Sequence, residues 1–104
     1  MVRQVIWTRL AYSKKIEIFE YWNQKTNSLS YSKTLDRLFD KSLSLLAKFP
    51  HIGLATQVEH VRVKVVSRKY LLIYKISYSN IHILAIWDSR QNPEDFDRIL
   101  GLYE

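Results

Sequence analysis

Cysteine is absent from the 104 residues, and the chain has only two glycines and two prolines. Without cysteine there is no disulfide framework, no thiolate nucleophile and no thiolate ligand for a metal. Gly53 and Gly101 lie far apart, which excludes a glycine-rich phosphate-binding loop. The fold must therefore come from a hydrophobic core, and any chemistry from charged, aromatic or hydroxyl-bearing side chains.

Long apolar runs are missing as well. No stretch approaches the roughly 18 apolar residues of a transmembrane helix, and the first 15 residues lack the apolar centre and cleavage site of a secretory signal. We therefore expect no membrane association and a cytoplasmic protein. His51, His60 and His82 lack the spacing of metal ligands, so we predict neither a metal site nor a cofactor.

The composition is that of a folded protein with excess positive charge. Hydrophobic residues make up 47% and aromatic residues 13%, which is enough for the core of a single domain over residues 1–104. Sixteen Lys and Arg against ten Asp and Glu give a formal charge of +6. This charge favours an anionic partner, such as nucleic acid, an acidic protein or an anionic membrane surface.

The stretch after residue 60 predicts three antiparallel strands. Apolar and basic residues alternate over Val61–Val65, which is typical of a strand with one buried face. Tyr70–Ser77 is rich in aromatic and branched residues, and Ile81–Trp87 is an apolar run typical of a central strand. Turn-forming residues at 67–69 and 79–80 separate these segments. The pattern predicts an antiparallel meander.

The residues before this meander predict a strand and a helix hairpin. Val2–Trp7 favours a strand that joins the meander, and Thr8 can cap the helix that follows it. Apolar residues at helical spacing predict helices over Leu10–Gln24 and Tyr31–Lys48, and the short break between them requires a tight turn. The segment His51–His60 is expected to be irregular.

A short helix is predicted at the C-terminus. Asn92 is a favoured cap, Pro93 suits the first helical position, and the apolar residues that follow recur at helical spacing. The fold class is therefore α+β, in the order β-α-α-β-β-β-α. We expect an antiparallel sheet of about four strands packed on the N-terminal helix hairpin.

The charges of the meander are of one sign. Five bases and no acid lie between His60 and Trp87. Two interpretations fit equally well: a sheet face that meets an anion, or solvated edge and turn residues that discourage strand pairing with other chains. The five bases are Arg62, Lys64, Arg68, Lys69 and Lys75.

Several strings occur in an order that resembles one family. The second helix closes with LLAKFPHIG at residues 45–53, and Val61–Val63 is followed by Tyr70–Tyr74. The last strand runs into WDSRQNP at residues 87–93. Together these strings are similar to the RelE/ParE toxins of bacterial type II toxin–antitoxin pairs, over nearly the whole chain.

This resemblance implies a toxin held inactive by a cognate antitoxin. RelE-like members enter the ribosomal A site and cut mRNA, whereas ParE-like members block DNA gyrase and cut nothing. We favour ribosome-dependent mRNA cleavage, with gyrase inhibition as the alternative. A third hypothesis is a catalytically inactive module that binds nucleic acid or the antitoxin.

Metal-free cleavage of RNA needs a proton acceptor, a stabilised phosphorane and a proton donor for the leaving oxygen. The resemblance implies that Arg62 stabilises the phosphate. Lys64 projects from the same face, and Arg90 is expected to close on the same phosphate. Further contacts with nucleic acid are predicted for Arg68, Lys69, Lys75 and, if its ring is exposed, Trp87.

Structural roles compete with these assignments. Arg62 has Asp88 and Glu59 as possible ion-pair partners, and Arg90 has Asp88 and Asp95. The apolar neighbours of Trp87 favour a place in the core. His82 is expected to be exposed or hydrogen-bonded rather than catalytic.

One departure from the family pattern bears on the mechanism. Ribonuclease members often carry a His or Tyr at or just after the last strand, whereas this chain has neither between Trp87 and Tyr103. The gyrase alternative therefore stays open. We also expect an apolar groove beside the helix hairpin or along the sheet edge, which an antitoxin segment fills.

Overall fold

Three helices and five strands follow the predicted order, with one short strand added. The computed structural model describes residues 1–104. A single 3-10 turn, Pro50–Ile52, follows the second helix. The elements are β1 (Gln4–Trp7), α1 (Arg9–Thr26), α2 (Ser30–Lys48), β2 (Leu54–Ala55), β3 (Val61–Val65), β4 (Tyr70–Ile76), β5 (Asn80–Asp88) and α3 (Pro93–Gly101).

The strands form one sheet in the order β1-β5-β4-β3-β2. The antiparallel meander β3-β4-β5 is confirmed. The sheet is mixed rather than antiparallel, since β1 pairs parallel with β5, from Gln4 beside Asn80 to Trp7 beside Ile83. The fifth strand, β2, lies in the segment expected to be irregular; its two residues are too few to show an alternating pattern.

Side-chain caps set where two of the helices begin. The Thr8 hydroxyl accepts a hydrogen bond from the Ala11 amide at 3.2 Å, and the Asn92 side chain accepts one from the Glu94 amide at 3.0 Å. Both predicted caps are therefore confirmed. Asn27 ends α1 in the left-handed conformation with φ 53°, which lets the chain turn tightly into α2.

The sheet is covered on both faces, which explains the apolar character of β5. Tyr70, Leu72 and Tyr74 of β4 face the α1–α2 hairpin and pack with Leu35 and Phe39.

On the other face Ile73 and Trp87 pack with Val61, Val63 and Leu100, against α3. None of the three helices has both the length and the apolar character needed to cross a membrane.

Candidate functional site

Arg62 lies on β3, opposite Tyr74 and on the sheet face that the helix hairpin covers. Its Nη1 donates to the Gly53 carbonyl at 2.8 Å and to the His51 carbonyl at 3.3 Å. The proposed ion pair with Asp88 or Glu59 is wrong, because the β3 register directs the guanidinium to the turn after α2 instead. Its remaining N–H groups have no acceptor within the chain and can meet an outside anion.

Tyr74 also forms hydrogen bonds with the turn after α2. Its buried hydroxyl donates to the Pro50 carbonyl at 2.6 Å and accepts from the Gly53 amide at 3.1 Å. Burial raises the pKa of Tyr74, so the hydroxyl keeps its proton and its donor role. Arg62 is therefore positioned against a segment that the core itself fixes.

Lys64 shares the face of Arg62, as the strand period predicts. It lies opposite Leu72, whose side chain packs in the core beneath the helix hairpin. Its exposed Nζ donates to the carbonyl of the neighbouring Val65 at 2.8 Å. Arg62 and Lys64 thus present two cations on the hairpin face of β3. Arg62 lies where β3 pairs with Ala55 of β2, and Lys64 lies just past the end of that pairing.

Arg90 lies just beyond β5 and is paired with Asp88. Two bonds join them, Nη2 to Oδ2 at 2.6 Å and Nε to Oδ1 at 2.9 Å. Hydrogen bonds from the guanidinium hold the pKa of Asp88 below its usual range, and Asp88 raises the pKa of Arg90. The structural alternative for Arg90, an ion pair with Asp88, is confirmed.

Aromatic rings surround this ion pair. The Trp22 indole donates to the Tyr70 hydroxyl at 2.7 Å, and Arg90 Cζ lies 5.8 Å from the Trp22 ring. Lys69 Nζ lies 4.0 Å from the same ring, which is cation–π distance. Burial raises the pKa of Tyr70, so its hydroxyl stays protonated.

A cavity opens beside the Asp88–Arg90 pair. It has a volume of about 280 Å³, and Lys14, Tyr21 and Tyr70 line it together with the ion pair. The cavity therefore combines two cations and two carboxylates, Glu17 and Asp88, with phenol groups at the end of the sheet where β5 stops. It is the Arg90 half of the candidate site.

The structure does not bring Arg62 and Arg90 to one point. Arg62 lies opposite Tyr74, whereas Asp88 lies opposite Tyr70. Four residues of β4 separate these pairs, which is about 13 Å along the strand, and two strand spacings add about 10 Å across the sheet. In this conformation the two guanidinium groups serve different regions of the surface.

The four predicted nucleic-acid contacts are scattered. Trp87 is only 6% exposed and packs edge-on against Phe96 at 5.5 Å, so stacking on a base is excluded and its place in the core is confirmed. Arg68 is exposed in the β3–β4 turn, and Lys69 beside it covers Trp22. Lys75 is exposed on the opposite sheet face, where it lies across from His82 in the register of β4 and β5.

His82 has the structural role expected of it. Its Nε2 lies 3.4 Å from the Ser77 hydroxyl, in the turn between β4 and β5. No group of three or more His, Asp and Glu side chains is arranged to hold a metal ion.

Residues 5–93 match the model of a protein family described as "ParE toxin of type II toxin-antitoxin system, parDE". The chain belongs to the ParE toxin family. As a ParE-type toxin it is the toxin component of a type II toxin–antitoxin system.

Two solved structures have the same fold as this ParE-type toxin. A chain of the chromosomal ParDE system from P. aeruginosa superposes with a TM-score of 0.70 at 17% identity, covering 84% of the toxin and 96% of that chain. A chain of the E. coli DinJ–YafQ complex superposes with a TM-score of 0.56 at 14% identity, covering 86% and 96%. A comparison with curated protein sequences gives no match.

Sequence reasoning missed three residues at the Arg90 end of the toxin. Lys14, Trp22 and Tyr70 reach this region from α1 and β4, and Trp22 is 48 positions from Tyr70 along the chain. No local motif links them. The sequence offered only an indirect indication of this region, which is that Lys69 directly precedes Tyr70 in a segment without acids.

The toxin also has an apolar groove next to the helix hairpin. It lies between the start of α1, the end of β5 and α3, and has a volume of about 240 Å³. Leu10 and Leu102 at its rim are 65% and 77% exposed. The predicted groove is thus present, and an antitoxin segment as its occupant stays a prediction.

Proposed function

We propose that this ParE-type toxin arrests growth by binding DNA gyrase, without cleaving RNA itself. The observation that carries the proposal is the separation of Arg62 from Arg90. Cleavage would need both groups at one phosphate, yet about 13 Å of strand lies between their positions. Each guanidinium already has acceptors from its own chain, carbonyls for Arg62 and a carboxylate for Arg90.

The segment after β5 supports the same proposal. The first phenol beyond Arg90 is Tyr103, and its hydroxyl donates to the Leu84 carbonyl at 3.4 Å, on the α3 side of the sheet. It therefore does not reach the Arg90 cavity. A toxin that binds its target needs only cations that reach the surface, which the half-exposed Arg62 and Lys64 supply from β3.

One observation favours ribosome-dependent mRNA cleavage as a second candidate. Tyr70 lines the Arg90 cavity, and its hydroxyl accepts a hydrogen bond only from Trp22; burial raises the pKa of Tyr70. A protonated phenol beside a guanidinium has the chemistry of a general acid next to a phosphate-binding group. In this candidate Lys14 and Arg90 would hold the phosphate.

We further propose that a cognate antitoxin neutralises the toxin. The two solved structures described above belong to toxin–antitoxin systems. The apolar groove between α1, β5 and α3 suits an amphipathic helix laid into it. The net charge of +6 favours an acidic antitoxin segment, and Lys14 is the one charged residue that lines the groove.

Induced expression in a bacterium tests the toxin and separates its two candidate targets. Growth should stop when the gene is expressed alone and continue when a cognate antitoxin is co-expressed. After induction, a DNA-damage response should precede any loss of translation in pulse labelling. Early loss of translation would instead support mRNA cleavage, and normal growth at confirmed expression would contradict both.

Arg62→Ala tests the role of the two cations on β3. We expect the variant to lose growth arrest, because the free N–H groups of Arg62 are lost, while antitoxin binding in the apolar groove is unchanged. Arg37→Ala on the exposed face of α2 is the matched control and should stay toxic. If Arg62→Ala no longer folds, as shown by circular dichroism, the role of Arg62 is structural.

A further inference from the structure

A basic hollow lies at the end of the sheet where β4 leads into β5. It has a volume of about 460 Å³ and is lined by seven residues. Four of these are cations or imidazoles and none is an acid: Arg3, His51, His60 and Lys75. The hollow is distinct from the Arg90 cavity, with which it shares no lining residue.

Most of the donors in this hollow have no acceptor within the chain. Arg3 Nε donates to the Ser77 carbonyl at 2.9 Å, which holds the guanidinium in place and leaves both Nη groups without an acceptor in the chain. The Lys75 ammonium and the His51 ring likewise make no hydrogen bond or ion pair within the chain. His60 alone has a charged neighbour, with Nε2 3.4 Å from Glu59.

An exposed aromatic ring stands at the rim. Tyr78 lies in the β4–β5 turn and is 86% exposed, more than any other tyrosine among the exposed large hydrophobic residues. A phenol ring this exposed contributes little packing energy to the stability of the fold. Beside two free cations, it offers a flat surface on which a base can stack.

We propose that this hollow binds a single strand of nucleic acid. Arg3 and Lys75 would each meet a backbone phosphate, and Tyr78 would stack on a base between them. The combination of a cationic groove with an exposed aromatic ring is what sequence-tolerant binding of single strands requires. The bases of a duplex are stacked inside it and could not reach Tyr78. An acidic peptide would pair with the cations but has no base to stack on the ring.

The charges on the neighbouring surface indicate which way the bound nucleic-acid strand runs. An adjoining hollow shares His60 and Lys75 but also contains Glu59 and Glu104. These carboxylates repel phosphate, so the strand should leave Lys75 toward Arg3 rather than toward the C-terminus. The contact goes beyond the proposed function, because it depends on neither gyrase nor the ribosome.

Fluorescence anisotropy with the purified full-length toxin tests this proposal. Labelled single strands, oligo-dT and oligo-U, should bind better than a duplex of equal length, and binding should weaken as salt rises. Replacing both cations, in Arg3→Gln/Lys75→Gln, should reduce the slope of log K against log salt by about 1.4, since each lost phosphate contact removes about 0.7.

Two further variants make the test specific. Tyr78→Ala should lower affinity roughly tenfold without changing the salt slope, because stacking is lost and charge is not. Lys33→Gln/Lys41→Gln, on the exposed face of α2, removes the same charge elsewhere and should leave the slope nearly unchanged. Circular dichroism confirms that each variant is folded.

The proposal is overturned by any of three results. These are no binding to either strand at low salt, an equal effect of the α2 control variant, or tighter binding of duplex or poly-Glu than of single strands. Growth arrest is scored separately, so failure here leaves the proposed action on gyrase unaffected. Stronger binding of oligo-U than oligo-dT would identify RNA as the natural ligand.

Discussion

Gly53 and Tyr74 show how a single contact places the candidate site. A side chain at position 53 would overlap the Tyr74 hydroxyl and lie 2.7 Å from the Val63 carbonyl. Only glycine leaves room for the phenol to bond both the Pro50 carbonyl and the Gly53 amide. Arg62 depends on this arrangement, since its guanidinium donates to the Gly53 carbonyl.

Gly53→Ala should therefore destabilise the fold. The added methyl group must displace backbone or a buried ring, and such overpacking costs about 1–3 kcal/mol. Gly101→Ala is the control, because a Cβ there meets nothing within 4 Å. Urea denaturation should show a lower midpoint for Gly53→Ala only; equal midpoints would contradict the close packing at position 53.

Tyr74 also predicts how stability depends on pH. Burial raises its folded pKa above the ordinary value of 10.0, as it does for Tyr70. The folded state then holds its protons where the unfolded state loses them, so stability is present below pH 10 and falls as pH rises through the folded pKa. Stability at neutral pH should not depend on this titration.

Tyr74→Phe tests this pH dependence. The free energy of unfolding should be lower by about 1–3 kcal/mol at pH 7, because the Pro50 carbonyl and Gly53 amide lose their buried partner. Its decline between pH 9 and 11 should be shallower than in the natural protein. An unchanged slope in urea titrations across that range would contradict a raised pKa.

At the scale of elements, the sequence was informative wherever a pattern ran for several residues. The 19 residues of α2 and the meander strands repeat apolar side chains at regular spacing, and Thr8 and Asn92 are residues that favour caps. The two-residue β2 and the parallel pairing of β1 carry no such pattern. Pairing partners far apart in the chain are fixed by tertiary packing, which local periodicity does not report.

The candidate site was predictable in composition but not in assembly. The alternation of β3 placed Arg62 and Lys64 on one face correctly. The offset between Arg62 and Arg90 depends on the register of β3, β4 and β5, which the residues alone do not specify. The hydrogen bond from Trp22 to Tyr70 joins α1 to β4, and nothing in the sequence indicated it.

Thr8→Ala tests the junction between β1 and α1. The hydroxyl caps α1 at the Ala11 amide and donates to the Ile83 carbonyl at 2.7 Å, so it joins the helix to β5. We expect a loss of about 1–2 kcal/mol in unfolding free energy. Thr34→Ala on the exposed face of α2 is the matched control and should change stability little; similar losses for both would argue against a capping role.

At the scale of the whole molecule, cations are distributed over separate regions of one small sheet. Arg62 and Lys64 lie on β3 at the hairpin face, and Arg90 lies at the end of β5. Arg3 and Lys75 flank the hollow at the opposite end of the sheet. The apolar groove beside α3 is a further surface. A ParE-type toxin of this shape can hold an antitoxin and a target on different faces.

The most direct measurement is a supercoiling assay with purified gyrase and increasing amounts of the full-length toxin. Binding without turnover predicts that inhibition grows with the molar ratio of toxin to gyrase, that Arg62→Ala is inactive, and that Arg37→Ala behaves like the natural protein. The same toxin should leave mRNA on programmed ribosomes intact. Undisturbed supercoiling at molar excess, with mRNA cut at substoichiometric toxin, would contradict gyrase as the target.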